Sequence, residues 1–286
     1  MNSLDLRPLS VGEILDRTFT LYRQHFLLFL GISAIPHAIL LIPNVAQVFF
    51  VVPGRISLGA GQGLTPAFGV TTVVFALIGA VLGVIVYLLS QGAAVTAVSE
   101  LYMGRQITIS ESFRRVRSEL GNLFLVMLLS GLAVFAGFIL LIIPGIYLMC
   151  RLLVCIPVAL IENLSSTTAL ERSFELTKDS AGRAFLILLL YFALTYAAVI
   201  LLAMPFQMMV VFTLAKHNSE MMRLWLVLGQ IGATTATVLV QPVLIIASAI
   251  MYYDLRVRKE AFDLQMMMSP AGTVPASPSG LPTMFS

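Results

Sequence analysis

Residues 143–185 read IPGIYLMCRLLVCIPVALIENLSSTTALERSFELTKDSAGRAF. The stretch combines a Pro-Gly pair inside an apolar run, an arginine deep in that run (Arg151), a glutamate near its end (Glu162) and an amphipathic segment that leads into another apolar run. An apolar run of about 20 residues is what a helix needs to cross a bilayer. The stretch therefore predicts the return of a membrane hairpin, an amphipathic helix and the start of a further crossing.

The whole chain has the same apolar character. Of its 286 residues, 59% are hydrophobic and 11% are charged, and its mean hydropathy is +0.97. Soluble domains carry about 25% charged residues, so this chain has too few polar side chains to cover a soluble globule. Lipid cannot satisfy free backbone groups, and the alternating pattern of a barrel is absent. We therefore expect an all-α, polytopic membrane protein without a cleaved signal peptide.

Hydropathy predicts six transmembrane helices. They are expected at about residues 26–52, 69–98, 122–143, 146–162, 184–213 and 222–250. Pro36 and Pro43 predict a kink or a split in the first of them. The Gly- and Pro-rich residues 53–67 predict a flexible loop. Pro144 and Gly145 predict a hairpin turn with almost no loop between the third and fourth helices.

Three amphipathic helices precede the predicted hairpins. Each begins with Ser or Thr followed three residues later by Glu, the pattern of a capping box, at Ser10, Thr108 and Thr168. Apolar or small residues then recur at i, i+4, i+7 and i+11. The predicted buried stripes are Val11, Leu15, Thr18 and Tyr22; Ile109, Phe113, Val116 and Leu120; and Leu170, Phe174, Thr177 and Ala181. We expect all three helices to lie on the membrane surface.

The amphipathic helices also indicate an internal repeat. A shift of 98 residues places Glu13 on Glu111, and a shift of 61 places Ser112 on Ser173. This predicts three parallel units, each an amphipathic helix plus a helical hairpin. The units are residues 8–103, 106–164 and 166–262, within one six-span membrane domain of residues 1–265. Residues 266–286 are rich in Pro, Ser and Gly, which predicts a disordered tail.

Basic residues set the expected orientation. Thirteen of the 17 Lys and Arg residues lie before the first span, in the other two amphipathic helices or after the sixth span. The positive-inside rule then places both termini in the cytoplasm.

Arg151 is the one charge well inside a predicted span. In a continuous helix it would lie about 9 Å from the Pro-Gly pair and about 16 Å from Glu162. It is therefore expected either to snorkel towards the outer interface or to bind or pair inside the bundle. A polar stripe on the sixth span offers a partner surface, at Gln230, Thr234, Thr237 and Gln241. Either interhelical hydrogen bonds explain that stripe, or it lines a polar cavity together with Arg151 and with His37, Asn44 or Gln47.

Three acidic residues end the return spans, at Glu100, Glu162 and Asp254. They are expected either to be solvated or paired with arginine, or to bind a cation. His25 is expected at the inner interface, His37 within a span and His217 on the outer side, so the three histidines cannot converge on one metal. Neither a P-loop nor a Gly-x-Ser-x-Gly elbow is present. We therefore expect no catalytic, metal or cofactor site, and no enzyme.

Several of these residues also carry a family resemblance. The stretches RPLSVGEILDRTFTLYRQHF, IPGIYLMCRLLVCIPVALIENLSSTTALERSFELTKD and YYDLRVRKEAFDL resemble the membrane-domain family of glycerophosphoryl diester phosphodiesterases and related bacterial proteins. The likeness covers about residues 6–264. It rests on Pro144-Gly145, Arg151, Pro157, Glu162, Ala169-Leu170, Arg172-Ser173 and Tyr253-Asp254-Leu255-Arg256. In the family's enzymes the chemistry lies in a separate soluble barrel, for which this chain has no room. The resemblance implies a prokaryotic plasma membrane.

Two functions fit these observations. The first is a non-enzymatic integral membrane protein, either a lipid-associated scaffold or a partner-binding module. The second is a transporter or lipid translocase with a polar site around Arg151 and the sixth span. Membrane lipids are the expected partners, anionic headgroups among them, because each Lys or Arg near the surface contributes roughly 1 kcal/mol of attraction. An unidentified protein partner stays open, and nucleic acid is not expected.

Overall fold

The computed structural model describes residues 9–59, 66–215 and 219–260. Within these ranges the chain is α-helical almost throughout and contains no strand. The helices are α1 (Val11–Gln24), α2 (Phe26–Gly59), α3 (Pro66–Tyr102), α4 (Ile109–Val116), α5 (Leu120–Leu140), α6 (Ile142–Arg151), α7 (Cys155–Ile161), α8 (Ser166–Thr177), α9 (Ala181–Leu202), α10 (Met204–Ala215) and α11 (Ser219–Glu260).

Six segments of the described chain are long and apolar enough to cross a membrane. They are Phe26–Phe49, Thr72–Tyr102, Leu120–Leu140, Ile142–Ile161, Ala181–Leu202 and Glu220–Glu260. Large apolar side chains such as Leu140 and Ile143 are exposed on the outside of the bundle, where lipid would cover them. The protein is thus an all-α, multi-pass integral membrane protein, and the predicted fold class is confirmed.

Helix α11 lies at the centre of the bundle. It packs against α1, α2, α3, α9 and α10 and also touches α7 and α8. Its residues 245–251 are buried almost completely. The other spans keep one side exposed, because they surround α11 and face outward.

The first hairpin decides one alternative and corrects one prediction. Helix α2 runs through Pro36 and Pro43 as one helix, so it is not split, and a kink there stays a prediction. The predicted loop at 53–67 is also too long, because α2 continues to Gly59 and α3 begins at Pro66. Pro66 can begin α3, because proline is tolerated in the first turn of a helix, where its missing N–H would have no partner. Residues 60–65 lie outside the described chain.

The turn between α5 and α6 lies at Leu141, so the prediction of a turn at Pro144-Gly145 is wrong. Leu141 is extended, with φ −169° and ψ 161°, and both predicted turn residues fall in the first turn of α6. Their role is to start α6 and to bring it close to α5. A Cβ added at Gly145 would lie 2.5 Å from the ring of Phe138, and one added at Gly137 would lie 3.0 Å from the Cα of Gly145.

Two predicted spans are interrupted. The fourth consists of α6 and α7 with a turn at residues 152–154, and the fifth ends at Leu202 instead of continuing to residue 213. Ala203 separates α9 from α10 and is almost fully buried. Helix α11 packs directly on this break, since a Cβ added at Gly232 would lie 2.1 Å from the carbonyl oxygen of Leu202.

The three amphipathic helices pack on the spans and meet at one end of the bundle. Helix α1 lies antiparallel along α11, because the Leu9 amide donates to Asp254 (2.6 Å) and the Tyr22 hydroxyl donates to the Leu239 carbonyl (2.9 Å). Helix α4 packs on α3, and α8 packs on α7. We call the end formed by α1, α4, α8 and residues 251–260 the basic end.

The buried faces of these helices are centred one residue before the predicted stripes. The most buried positions are Ile14, Thr18 and Leu21 in α1, Ser112 and Val116 in α4, and Ala169, Ser173, Leu176 and Thr177 in α8. Small residues fall at this contact because it is helix against helix, whereas the predicted stripes assumed helix against lipid. Of the predicted stripes, Thr18, Val116 and Thr177 lie in the contact and are fully buried, whereas the other predicted residues flank it and are partly buried.

The predicted helix starts hold in two of three cases. Ser10 and Glu13 form a full capping box, and Thr108 accepts from the Glu111 amide. The third prediction is wrong, because α8 begins at Ser166 with Ser165 as its N-cap. The division into three repeated units stays a prediction, and the proposed tail at 266–286 lies outside the described residues.

Candidate functional site

Glu100, at the end of α3, forms an ion pair with α4. It is 7% exposed, and its carboxylate lies 2.5 Å from Nη1 of Arg115 and 3.6 Å from Nη1 of Arg105. Arg115 also donates to Glu111 (3.0 Å). The hydrogen bond to Glu111, followed by that to Glu100, raises the pKa of Arg115. This carboxylate is therefore neutralised by arginine.

Glu162 occupies the same place at the end of α7. One carboxylate oxygen accepts from the Tyr252 hydroxyl (2.9 Å), and the other lies 3.3 Å from Nε of Arg172 on α8. Arg256 is 1% exposed and lies 3.8 Å from Glu162, and both arginines also pair with Glu260. Two acids and two arginines thus balance in one buried network.

Asp254 joins three separate parts of the chain. One oxygen accepts from the Leu9 amide (2.6 Å), and the other accepts from Arg183 (2.7 Å) at the start of α9 and from Arg258 (3.0 Å). Both arginines also donate to the Leu9 carbonyl. The Asp254 side chain is completely buried. All three predicted acidic residues therefore pair with arginine, the pattern of a structural network.

Arg151 lies at the basic end and not near the opposite interface. Its Nε donates to the Thr177 hydroxyl (3.1 Å), Nη1 to the Tyr147 hydroxyl (2.6 Å) and Nη2 to the Phe174 carbonyl (2.5 Å). Its own carbonyl accepts from Ser173 (2.8 Å) and Thr177 (3.0 Å). The expected distance to Glu162 assumed a continuous helix, but the turn at 152–154 and the packing of α8 bring the guanidinium beside α8.

The polar stripe on the sixth span does not meet Arg151. Thr237 donates to the Ala233 carbonyl within its own helix (3.1 Å), and Gln230 and Thr234 are partly buried. Gln241 is 5% exposed, and its side-chain oxygen has no hydrogen-bond partner among the described residues. The structure therefore separates the two halves of the predicted polar site.

A cavity of about 680 Å³ lies between α3, α5, α6, α7, α9 and α11. Its lining is mostly aliphatic and aromatic, with Met127, Val134, Leu188 and Phe192 among the lining residues. Neither Arg151 nor the stripe residues line it. The polar groups that do are Tyr87, Gln91, Ser130, Cys155, Tyr191 and Ser248.

No charged side chain lines this cavity. Its hydroxyl, thiol and amide groups can donate and accept hydrogen bonds but cannot balance a charge. An ion placed there would lose its hydration without compensation. The cavity therefore suits a neutral, mainly apolar molecule.

Sequence reasoning missed this cavity. Its polar residues come from five helices, so no periodic pattern within a single helix predicts them. The closest signal was Gly79-x-x-x-Gly83 in α3, small residues that predict close helix packing. Gly83 instead lines the cavity, and a Cβ added there would meet nothing within 4 Å.

The described part of the chain contains no group of three or more His, Cys, Asp or Glu residues that could hold a metal ion. Of the histidines, His37 bonds through its ring to the Ser33 carbonyl (2.7 Å), and His217 lies outside the described residues. Comparison with models of protein families, with curated proteins and with solved structures gives no match to this chain.

Proposed function

We propose that this protein is a non-enzymatic integral membrane protein that holds a lipid or another neutral, mainly apolar molecule in the partly open cavity between α3, α5, α6, α7, α9 and α11. The observation that carries the proposal is the cavity itself, about 680 Å³ in volume and without a charged side chain in its lining. Sites for small molecules typically measure about 300–1,000 Å³ and combine an apolar lining with a few polar groups.

Polar groups supply the selectivity of such a site. Transfer of an apolar chain from lipid into an apolar cavity gains little free energy, since both surroundings are apolar. Hydrogen bonds to Tyr87, Gln91, Ser130 or Ser248 would be gained only by a molecule that carries an uncharged hydroxyl, ester or amide. A neutral lipid or a lipid-like amphiphile has that chemistry.

The carboxylates support a non-enzymatic role. A general acid or base needs a proton that it can exchange with substrate. Glu100, Glu162 and Asp254 are buried and bonded to arginines. Their oxygens therefore form structural ion pairs and do not face a substrate. None of the three lines the cavity.

The basic end supports an association with anionic lipids. Arg105, Arg114, Arg117 and Lys178 are exposed there, and cations at this level attract acidic headgroups. The excess of Lys and Arg favours a cytoplasmic position for this end and for both termini. The resemblance to the membrane domain of glycerophosphoryl diester phosphodiesterases favours a prokaryotic plasma membrane.

A transporter or lipid translocase is the second candidate, and the interrupted fourth span favours it. Leu152 and Leu153 lie in the turn between α6 and α7 and also line the cavity, and transporters often bind substrate at such broken helices. Against this candidate, Ser173 and Thr177 already bond to the Arg151 carbonyl at the break. The Arg151 carbonyl is therefore not left open for a substrate.

Native mass spectrometry from mild detergent tests the proposal. Gly131 lines the cavity and Gly121 does not, although both lie on α5 and neither has an atom within 4 Å of an added Cβ. The wild type and Gly121→Leu should retain a copurified neutral lipid or similar molecule that Gly131→Leu loses.

Wild-type protein without any such molecule, or equal retention by both variants, would contradict the proposal. In liposomes, movement of the retained molecule across the bilayer that stops in Gly131→Leu would favour the translocase instead.

A further inference from the structure

We propose that Arg151 forms a binding site at the basic end for the phosphate of a phospholipid headgroup. This site is separate from the cavity described above. Neither Arg151 nor the three residues that hold its guanidinium line the cavity. The inference therefore stands independently of the proposed cavity ligand.

The guanidinium is held in place but not saturated. It donates through Nε to Thr177, through Nη1 to Tyr147 and through Nη2 to Phe174. A guanidinium carries five N–H groups, so two remain, one on each terminal nitrogen. The rings of Tyr147 and Phe174 lie 5.4 and 5.1 Å from its central carbon. A planar fork fixed in this way suits two oxygens of one phosphate.

The charge of Arg151 is not balanced by an acid in the part of the chain that the structure describes. No carboxylate lies within 4 Å of it in the described ranges, in contrast to Arg115, Arg172 and Arg183, each of which pairs with an acid. Of the acids on this side of α8, Glu175 pairs with Arg172 (3.5 Å) and Asp179, in the turn after α8, pairs with Lys259 (3.7 Å). An arginine that no carboxylate balances attracts anions, and at the membrane surface the anions at hand are lipid headgroups. A bound phosphate would supply the missing negative charge.

The position of Arg151 matches that of lipid phosphates. Thr177 lies four residues before the start of α9, and Arg183, in the first turn of α9, bonds to Asp254 at the basic end. The guanidinium is therefore close to the level where the fifth span enters the membrane. Tyr147 is 48% exposed on the outer face of α6, so a lipid lying against α6 can reach the site from the side. This access favours a lipid phosphate over a soluble one.

Lipid titration followed by native mass spectrometry tests this site. The probes are phosphatidylglycerol, diacylglycerol with the same chains and inorganic phosphate, added to wild type, Arg151→Gln, Arg151→Lys and Arg114→Gln. Arg114 is exposed at the same end and pairs with no acid among the residues that the structure describes, so its variant controls for general loss of charge. Affinity for phosphatidylglycerol should fall roughly tenfold or more in Arg151→Gln, less in Arg151→Lys and little in Arg114→Gln. Diacylglycerol binding should not change.

Equal phosphatidylglycerol affinity in wild type and Arg151→Gln would overturn the proposal. Arg151-dependent binding of inorganic phosphate without lipid binding would support the phosphate chemistry and assign the source to a soluble ion. Should Arg151→Gln fail to fold, Arg151→Lys decides, because phosphatidylglycerol must raise the melting temperature more than diacylglycerol does in wild type and in Arg114→Gln, and by less in Arg151→Lys. Gly131→Leu should leave this difference intact, which separates a failure here from a failure of the cavity proposal.

Discussion

Asp254→Asn tests whether the acidic residues of the basic end hold the fold together. The substitution keeps the shape of the side chain but removes its charge. At present the carboxylate accepts from the Leu9 amide, from Arg183 and from Arg258. The new amide group would have to turn its NH₂ towards the two arginines or towards Leu9, and it would face a donor in either orientation.

The expected cost follows from burial. Removing one partner of a buried ion pair costs about 3–5 kcal/mol, and one hydrogen bond to a charged group contributes about 1.5–3 kcal/mol. The Asp254 side chain is fully buried, but those of Arg183 and Arg258 are 20% and 37% exposed, so water can replace part of what they lose. We therefore expect the lower end of the range, a loss of about 3 kcal/mol in the free energy of unfolding.

Unfolding in detergent by increasing denaturant measures this loss. Glu220→Gln is the control, because Glu220 is 79% exposed and its partner among the described residues is Arg223 in its own helix. It should change the free energy of unfolding by less than about 0.5 kcal/mol. In a double-mutant cycle, Asp254→Asn and Arg183→Gln should couple by about 1 kcal/mol or more. A loss below about 0.5 kcal/mol in Asp254→Asn would refute the structural role assigned to this carboxylate.

Three further predictions test other parts of the fold. Gly232→Ala should destabilise the protein by about 1–3 kcal/mol in the same assay, because its Cβ would overlap the Leu202 carbonyl, whereas Gly121→Ala has free space and should be neutral or slightly stabilising. Burial raises the pKa of Tyr22, so its contribution to stability should be complete below pH about 10 and be lost as the pH rises through the raised pKa. Tyr22→Phe should remove that part of the alkaline loss and also the hydrogen bond to Leu239. A reporter fused to the C-terminus should be active only in the cytoplasm, and activity on the other side would contradict the charge-based orientation.

Hydropathy located the spans because lipid imposes a length and an apolar surface on each one. It could not locate the interruptions. The turn at residues 152–154 contains neither Gly nor Pro. The Arg151 carbonyl just before it accepts from Ser173 and Thr177, which lie 22 and 26 residues further along the chain. Conversely, Pro36 and Pro43 are accommodated within a continuous helix. Both outcomes depend on neighbours that the local sequence does not specify.

The candidate sites show the same limit. Glu100, Glu162 and Asp254 were recognisable because each ends a return span, where an acid has a simple reason to meet arginine. The surroundings of Arg151 were not recognisable, because they follow from how α8 packs on α7. The cavity could not be predicted for a similar reason. Tyr87 lines it, but the sequence around Tyr87 does not indicate which side chains of other helices lie opposite.

The hydrogen bond between Leu9 and Asp254 also has a consequence for biosynthesis. The two residues are 245 positions apart, and a ribosome that adds roughly 5–20 residues per second needs about 12–49 s to travel between them. During that time α1 has emerged but its partner α11 does not yet exist. The nascent protein must therefore keep its first helix on the membrane or on an insertion factor, and only chains translated past Asp254 can complete the bundle.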